Sequence, residues 1–383
     1  MKFHFKIFFV LMMMLGISST PWAQTAVQSE PKIESKTSSS IGTTIGSSAG
    51  TSTGSSSAAS TVEQKVKPIK VVASFSILAD MVKQVGGDAV EVVSMVGYGA
   101  DAHVFSPTPA DVRQIAQAQW VVTNGLGFEG WVDRLISASG YKGPVLVASK
   151  GVTALAEDHE SAKSVESHDK HSESHQASHN DSHNESHNKN PNTNADSKKH
   201  THGHRHHDDD QDPHAWQSLS NAKIYVENIR AGLVQLLPES RAAIDQRASD
   251  YQARIDALDE YTHQAFNQIP LANRRVMTTH DAFGYFAASY QIEFLSIQGW
   301  STDREPSAAQ VGQLIRQIRQ DRIKALFFEH LADTRLVERI ADETGAKLGG
   351  TLYVDALTAP GTPADTYLKM FALNVETILK ALR

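Results

Sequence analysis

The chain has 383 residues, room for two ordinary domains. Lys plus Arg number 36 against 43 Asp plus Glu, a formal net charge of −7, so it lacks the basic surplus that a nucleic-acid partner calls for. Cysteine is absent, which excludes disulfides, thiolate-bound zinc, iron–sulfur clusters, a thiol nucleophile and a lipidated N-terminal cysteine; histidine, at 18, is the outlier.

Residues 1–23 read as a cleaved secretory signal peptide. Lys2 and Lys6 precede the apolar run Ile7–Ile17, and Pro21-Trp22-Ala23-Gln24 offers a cleavage point after Ala23. The run is too short to span a bilayer comfortably, so a soluble, exported protein is expected. Residues 24–67 are mostly Ser, Thr, Gly and Ala, a flexible tether that cannot offset its own ordering entropy.

From 68 onward apolar runs alternate with helical periodicity. Ile69–Phe75 and Val90–Val96 read as strands around a helix at Ile77–Val85. Thr108 caps a helix opening with Pro109, and strands at Trp120–Thr123 and Pro144–Ala148 flank a helix near Trp131–Ile136. Residues 156–211 interrupt this pattern with a His-rich insertion of Ser, Asn, Asp, Glu and Lys. Between His171 and His187 a histidine falls at every fourth position, yet no apolar face exists to dock, so disorder is expected, with weak collection of zinc-like ions by neutral imidazoles. A helical stretch from 220 to 268, broken at Pro238-Glu239-Ser240, follows. The alternation then resumes: strands at Arg275–Thr278, Glu293–Ile297, Ala325–Phe328 and Lys347–Val354, and helices at Ala282–Tyr290, Ser307–Arg319, Thr334–Thr344 and Thr362–Leu382.

This pattern predicts an α/β fold of two lobes, each with a mainly parallel sheet covered by helices, joined by a long connecting helix and enclosing a metal cleft. The N-terminal lobe is placed at 68–219, the connecting helix at 220–268 and the C-terminal lobe at 269–383.

His103, His214 and His280 each sit where a strand or loop ends and a helix soon begins, and Asp355 follows a strand. Ligands of open α/β sheets bind beyond the carboxyl ends of strands, so these four can meet between the lobes. Three imidazoles and a carboxylate suit tetrahedral Zn²⁺ and disfavour Mg²⁺ and Ca²⁺. His330, at a strand end, competes as a ligand; Glu329 is a candidate to hold a ligand ring from behind; His263 reads as solvated. Taken singly, a loop histidine is as well explained as a surface group and Asp355 as an N-cap.

The motifs Asp101-Ala102-His103 with Pro107-Thr108-Pro109-Ala110-Asp111, Asp212-Pro213-His214-Ala215-Trp216, Thr279-His280-Asp281-Ala282-Phe283 and Leu352-Tyr353-Val354-Asp355-Ala356-Leu357 together resemble the periplasmic metal-binding proteins of ABC importers for zinc and manganese. The resemblance spans 68–383 apart from the insertion. It implies a non-enzymatic, monomeric solute-binding protein that hands its ion to a membrane permease, with His103, His214, His280 and Asp355 as ligands. It points to the zinc branch (ZnuA-like), since manganese members typically carry Glu where His280 stands; Zn²⁺ is the expected cargo and Mn²⁺ the alternative. Two departures stand out: some zinc members carry a second-lobe disulfide that this chain cannot form, and there is no cysteine for a lipid anchor. A manganese or mixed-metal binding protein, a periplasmic zinc buffer and a zinc hydrolase remain as other readings. The hydrolase would need an open coordination position, and no His-Glu-x-x-His pattern is present.

Overall fold

Among the described residues, eight strands form two separate four-stranded sheets, and within each sheet every pairing is parallel. The computed structural model describes residues 67–156, 211–303, 305–323 and 325–383. The signal peptide, the tether up to 66 and residues 157–210 of the His-rich insertion lie outside the described residues. The insertion's outermost residues, Ala156 and Gln211, pair as an antiparallel bridge, so the folded chain leaves and re-enters at one point.

In the first lobe, β1 (Ile69–Phe75) is apolar on both sides and lies in the interior of its sheet, whose order is β2-β1-β3-β4 with β2 at Val90–Val96, β3 at Trp120–Thr123 and β4 at Val145–Val147. Helices α1 (Ser76–Gly86), α2 (Pro109–Ala116) and α3 (Val132–Ser139) connect them. Thr108 and Asp111 form a reciprocal capping box at the start of α2, which satisfies two N–H groups that a helix leaves unpaired and sets the direction of the preceding loop.

The segment between the lobes is a helix pair. α4 (Leu219–Leu236) stops before Pro238, which cannot donate a backbone N–H, and the 26-residue α5 (Arg241–Phe266) leads into the second lobe. The two helices fold back on each other, with ion pairs Arg230–Asp245 and Lys223–Asp256 across them, both at 2.6 Å.

The second lobe repeats the first: sheet order β6-β5-β7-β8, with β5 at Arg275–His280, β6 at Glu293–Gln298, β7 at Ala325–Glu329 and β8 at Lys347–Leu352. Helices α6 (Gly284–Tyr290), α7 (Ala308–Asp321), α8 (Thr334–Thr344) and α9 (Tyr367–Leu382) complete it. Val311, Leu314, Ile315 and Ile318 of α7 and Val337 and Ile340 of α8 close one core against Met277, Leu295 and Leu326 of the sheet.

Several boundaries differ from the sequence expectation by a few residues. β5 runs past Thr278 to His280, which closes the strand. The closing helix starts at Tyr367, not Thr362, because Gly361 adopts a left-handed φ of 85° and donates its N–H to the Asp365 carboxylate at 2.7 Å, forming a turn. Asp80 of α1 then accepts the Tyr367 N–H at 2.9 Å, so a first-lobe carboxylate caps a second-lobe helix.

The β7–β8 pairing contains a register shift: Leu326 faces Leu348 but Phe327 faces Gly350, leaving Gly349 as the extra residue of a bulge. A Cβ at Gly349 would lie 2.4 Å from the ring of the fully buried Phe327. Gly349→Ala is therefore expected to destabilise the protein by about 1–3 kcal/mol, seen as a lower urea midpoint with an unchanged m-value.

Candidate metal centre

The loop after β2 carries His103 and is pinned along its length. Asp101 Oδ1 accepts the His103 N–H at 2.8 Å, and the buried Trp131 indole donates to the Ala102 carbonyl at 2.9 Å. His214 stands just before the 3-10 turn Ala215–Gln217. Its segment is braced from both lobes: Asn124 Nδ2 donates to the Pro213 carbonyl at 2.9 Å, and the Tyr285 hydroxyl donates to the Asp212 carbonyl at 2.9 Å. His280 ends β5, an interior strand of its sheet. Asp355 lies three residues beyond β8 and is not a helix cap. The Trp216 indole and the Gln217 amide both donate to the carbonyl of its neighbour Val354, at 3.0 and 3.3 Å.

These four side chains, from four separate elements, converge. One donor atom from each lies within 4.8 Å of all the others. His103 Nε2 is 3.4 Å from His214 Nε2 and 3.5 Å from Asp355 Oδ2; His280 Nε2 is 3.4 Å from Asp355 Oδ2, and His214 Nε2 is 3.7 Å from Asp355 Oδ1. All four side chains are at least nine-tenths buried. Phe128 meets His103 edge-on at 4.9 Å, and Trp216 meets His214 at 5.3 Å, giving the cluster an apolar back wall.

Carboxylates behind two of the rings set their orientation. Asp212 Oδ1 accepts from both the backbone N–H of His214, at 2.9 Å, and its ring Nδ1, at 2.8 Å. Glu329 Oε1 accepts the N–H groups of Thr279 and His280, each at 2.9 Å, while Oε2 takes His280 Nδ1. With Nδ1 engaged as the N–H, each neutral ring presents its Nε2 lone pair to the centre. His280 Nε2 and Asp355 Oδ1 have no hydrogen-bond partner among the described residues. Burial by itself would lower the His280 pKa, but Glu329 and Asp355 outweigh it and hold the imidazolium well above its usual range. Burial would raise Asp355, yet His280, His103 and His214 hold it well below the usual carboxylate range.

Sequence reasoning placed the four converging residues and named Glu329 as a possible ring holder; the structure puts Glu329 in that position. Asp212 went unassigned, although a carboxylate two residues before a candidate ligand is a readable signal. His330 is exposed, lies tilted against Tyr353 with ring centroids 4.9 Å apart, and stays outside the cluster. His263 is exposed beside Asp259.

Two parallel-sheet lobes facing a buried cluster of three imidazoles and a carboxylate define a class: a metal-binding substrate-binding protein. Residues 71–381 match the family model described as "Zinc-uptake complex component A periplasmic", and the chain belongs to that family of periplasmic ABC-transporter components. It is similar to the iron-binding protein YfeA of Yersinia pestis, at 27% identity over 82% of this chain and 86% of the relative. It is also similar to the manganese ABC transporter substrate-binding lipoprotein PsaA of Streptococcus pneumoniae, at 26% identity over 82% and 89%. Among solved structures, the periplasmic zinc binding protein TroA of Treponema pallidum superposes with a TM-score of 0.67 at 26% identity, covering 82% of this chain and 99% of that one.

Glu329→Gln should lower the His280 pKa, because the neutral amide cannot offset the imidazolium charge. The sign for stability follows. A folded-state pKa raised above about 6.5 stabilises the metal-free protein fully below that pH, and the contribution fades as pH rises through the folded value. The variant should therefore lose most stability below about pH 6.5 and least in alkali, measured by NMR titration of His280 and by urea melts across pH.

Proposed function

We propose that His103, His214, His280 and Asp355 bind a single Zn²⁺ as transported cargo, and that the protein delivers it to an ABC permease for high-affinity uptake. The observation that carries this reading is the donor geometry. A tetrahedral zinc ion with bonds of about 2.0–2.1 Å has donor–donor edges of about 3.4 Å; four separations here run from 3.4 to 3.7 Å, counting both Asp355 oxygens, and one donor from each residue lies within 4.8 Å of all the others. Three nitrogens and one oxygen favour zinc over harder cations, and the His-rich insertion is a further supply of imidazole.

Manganese is the second reading, supported by the streptococcal relatives named for that ion. His280 argues for zinc, because a third imidazole suits the softer metal. A hydrolase is disfavoured: four protein donors complete a tetrahedron and leave no position for an attacking water.

Binding has a proton cost. The His280 imidazolium must lose its Nε2 proton before that nitrogen can donate to a metal. Below the raised His280 pKa, zinc affinity should therefore tighten about tenfold per pH unit, with about one proton released per ion, read by calorimetry in buffers of different ionisation enthalpy. Competitive titration should place Zn²⁺ ahead of Mn²⁺ by on the order of 100-fold. His280→Ala should weaken zinc strongly, whereas deletion of residues 157–210 should leave the one-to-one site intact. Equal affinity for both ions would move the assignment to a mixed-metal carrier.

A further inference from the structure

The His103 loop is tied to the second lobe at two places. One is backbone: the Gly99 N–H donates to the Leu357 carbonyl at 2.9 Å. The other is made by side chains. Asp101 divides its two carboxylate oxygens: Oδ1 accepts the His103 backbone N–H at 2.8 Å, and Oδ2 accepts the Thr302 hydroxyl at 2.6 Å. Thr302 stands in the loop between β6 and α7, 201 positions away and in the other lobe. Hydrogen bonds to a carboxylate are shorter and stronger than neutral ones, so this is the more demanding of the two ties to break.

The position of this bond matters as much as its strength. Asp101, Val104 and Thr302 border a cleft of about 530 Å³ that reaches inward to His280 and Asp355. Six waters at about 30 Å³ each occupy roughly 180 Å³, so the cleft has room for a hydrated ion. Drawing the lobes apart on this side must separate Asp101 from Thr302. Asp101 also positions the backbone of His103, so that separation acts on a ligand loop and on the opening together.

We propose that Asp101 is a positioning residue which, through Thr302, latches the two lobes across the mouth of the cleft and slows escape of the bound ion. This inference rests on the zinc-site reading above. It assigns retention of the ion to a pair of residues outside the four donors. Because the Thr302 hydroxyl donates its hydrogen bond to Asp101 and not to any of those donors, removing it leaves the four donors in place, and the effect should fall on dissociation rather than association.

The test is stopped-flow release of Zn²⁺ from the full mature chain into excess chelator, alongside the association rate and the melting temperature of the metal-free protein. Thr302→Val keeps the side-chain shape and loses the donor. It should release zinc on the order of tenfold faster, with the association rate and metal-free melting temperature close to parental. Thr302→Ser restores the hydroxyl and should restore slow release. His280→Ala serves as the control. If it abolishes tight binding while Thr302→Val releases zinc at the parental rate, the latch is overturned and the zinc site stands. Failure of Thr302→Ser to restore slow release also overturns the latch. If His280→Ala binds zinc as tightly as the parent, the zinc-site reading itself falls.

Discussion

Three imidazole nitrogens and a carboxylate are held within a few ångströms of one another in a buried site, and the rest of the molecule is arranged around that constraint. Such a cluster cannot organise itself. Buried polar groups without partners are costly, and like-oriented donors do not attract. The arrangement persists because two of the three rings are anchored from behind. Asp212 takes both the backbone and ring N–H of His214, and Glu329 takes two backbone N–H groups and the ring of His280. The rings are thereby committed before any ion arrives, which lowers the ordering cost of binding. Glu329 and Asp355 together favour the protonated form of His280 against the cost of its burial.

The fold supplies rigid mounts for this cluster. Parallel strands place their carboxyl ends on one edge, and here two sheets of matching order, 2-1-3-4 and 6-5-7-8, turn those edges toward each other. Each lobe contributes side chains to the cluster, so the full donor set requires both. The His214 segment is the exception that joins them: Asn124 of the first lobe and Tyr285 of the second both hold it, and its Trp216 indole reaches the carbonyl before Asp355. Trp216 is fully buried between Phe75 and Phe128, so ligand orientation is coupled directly to core packing.

Much of the scaffold was legible because its signals are local. The Val-rich run Ile69–Phe75, the proline at the start of α2 and the glycine ending α8 each state a boundary through backbone chemistry that no tertiary contact overrides. The four ligand candidates were legible because each stands at or near a strand or helix boundary. What stayed hidden depends on distance in the chain. The order of strands within each sheet, the capping of α9 by Asp80 and the meeting of Asp101 with Thr302 are set by packing between segments about 200 or more residues apart, or by the choice of crossover, and no local pattern encodes them. The late start of α9 shows the converse error: Thr362 and Pro363 look like a helix opening, but Gly361 and Asp365 spend those residues on a turn.

The central claim is that both lobes coordinate one ion. Diffraction from crystals of the zinc-loaded mature chain, with anomalous data at the zinc edge, tests it most directly. The account requires a single strong peak bonded to Nε2 of His103, His214 and His280 and to the Asp355 carboxylate, at about 2.0–2.2 Å. A peak contacting residues of only one lobe, or bound chiefly by water, would contradict it.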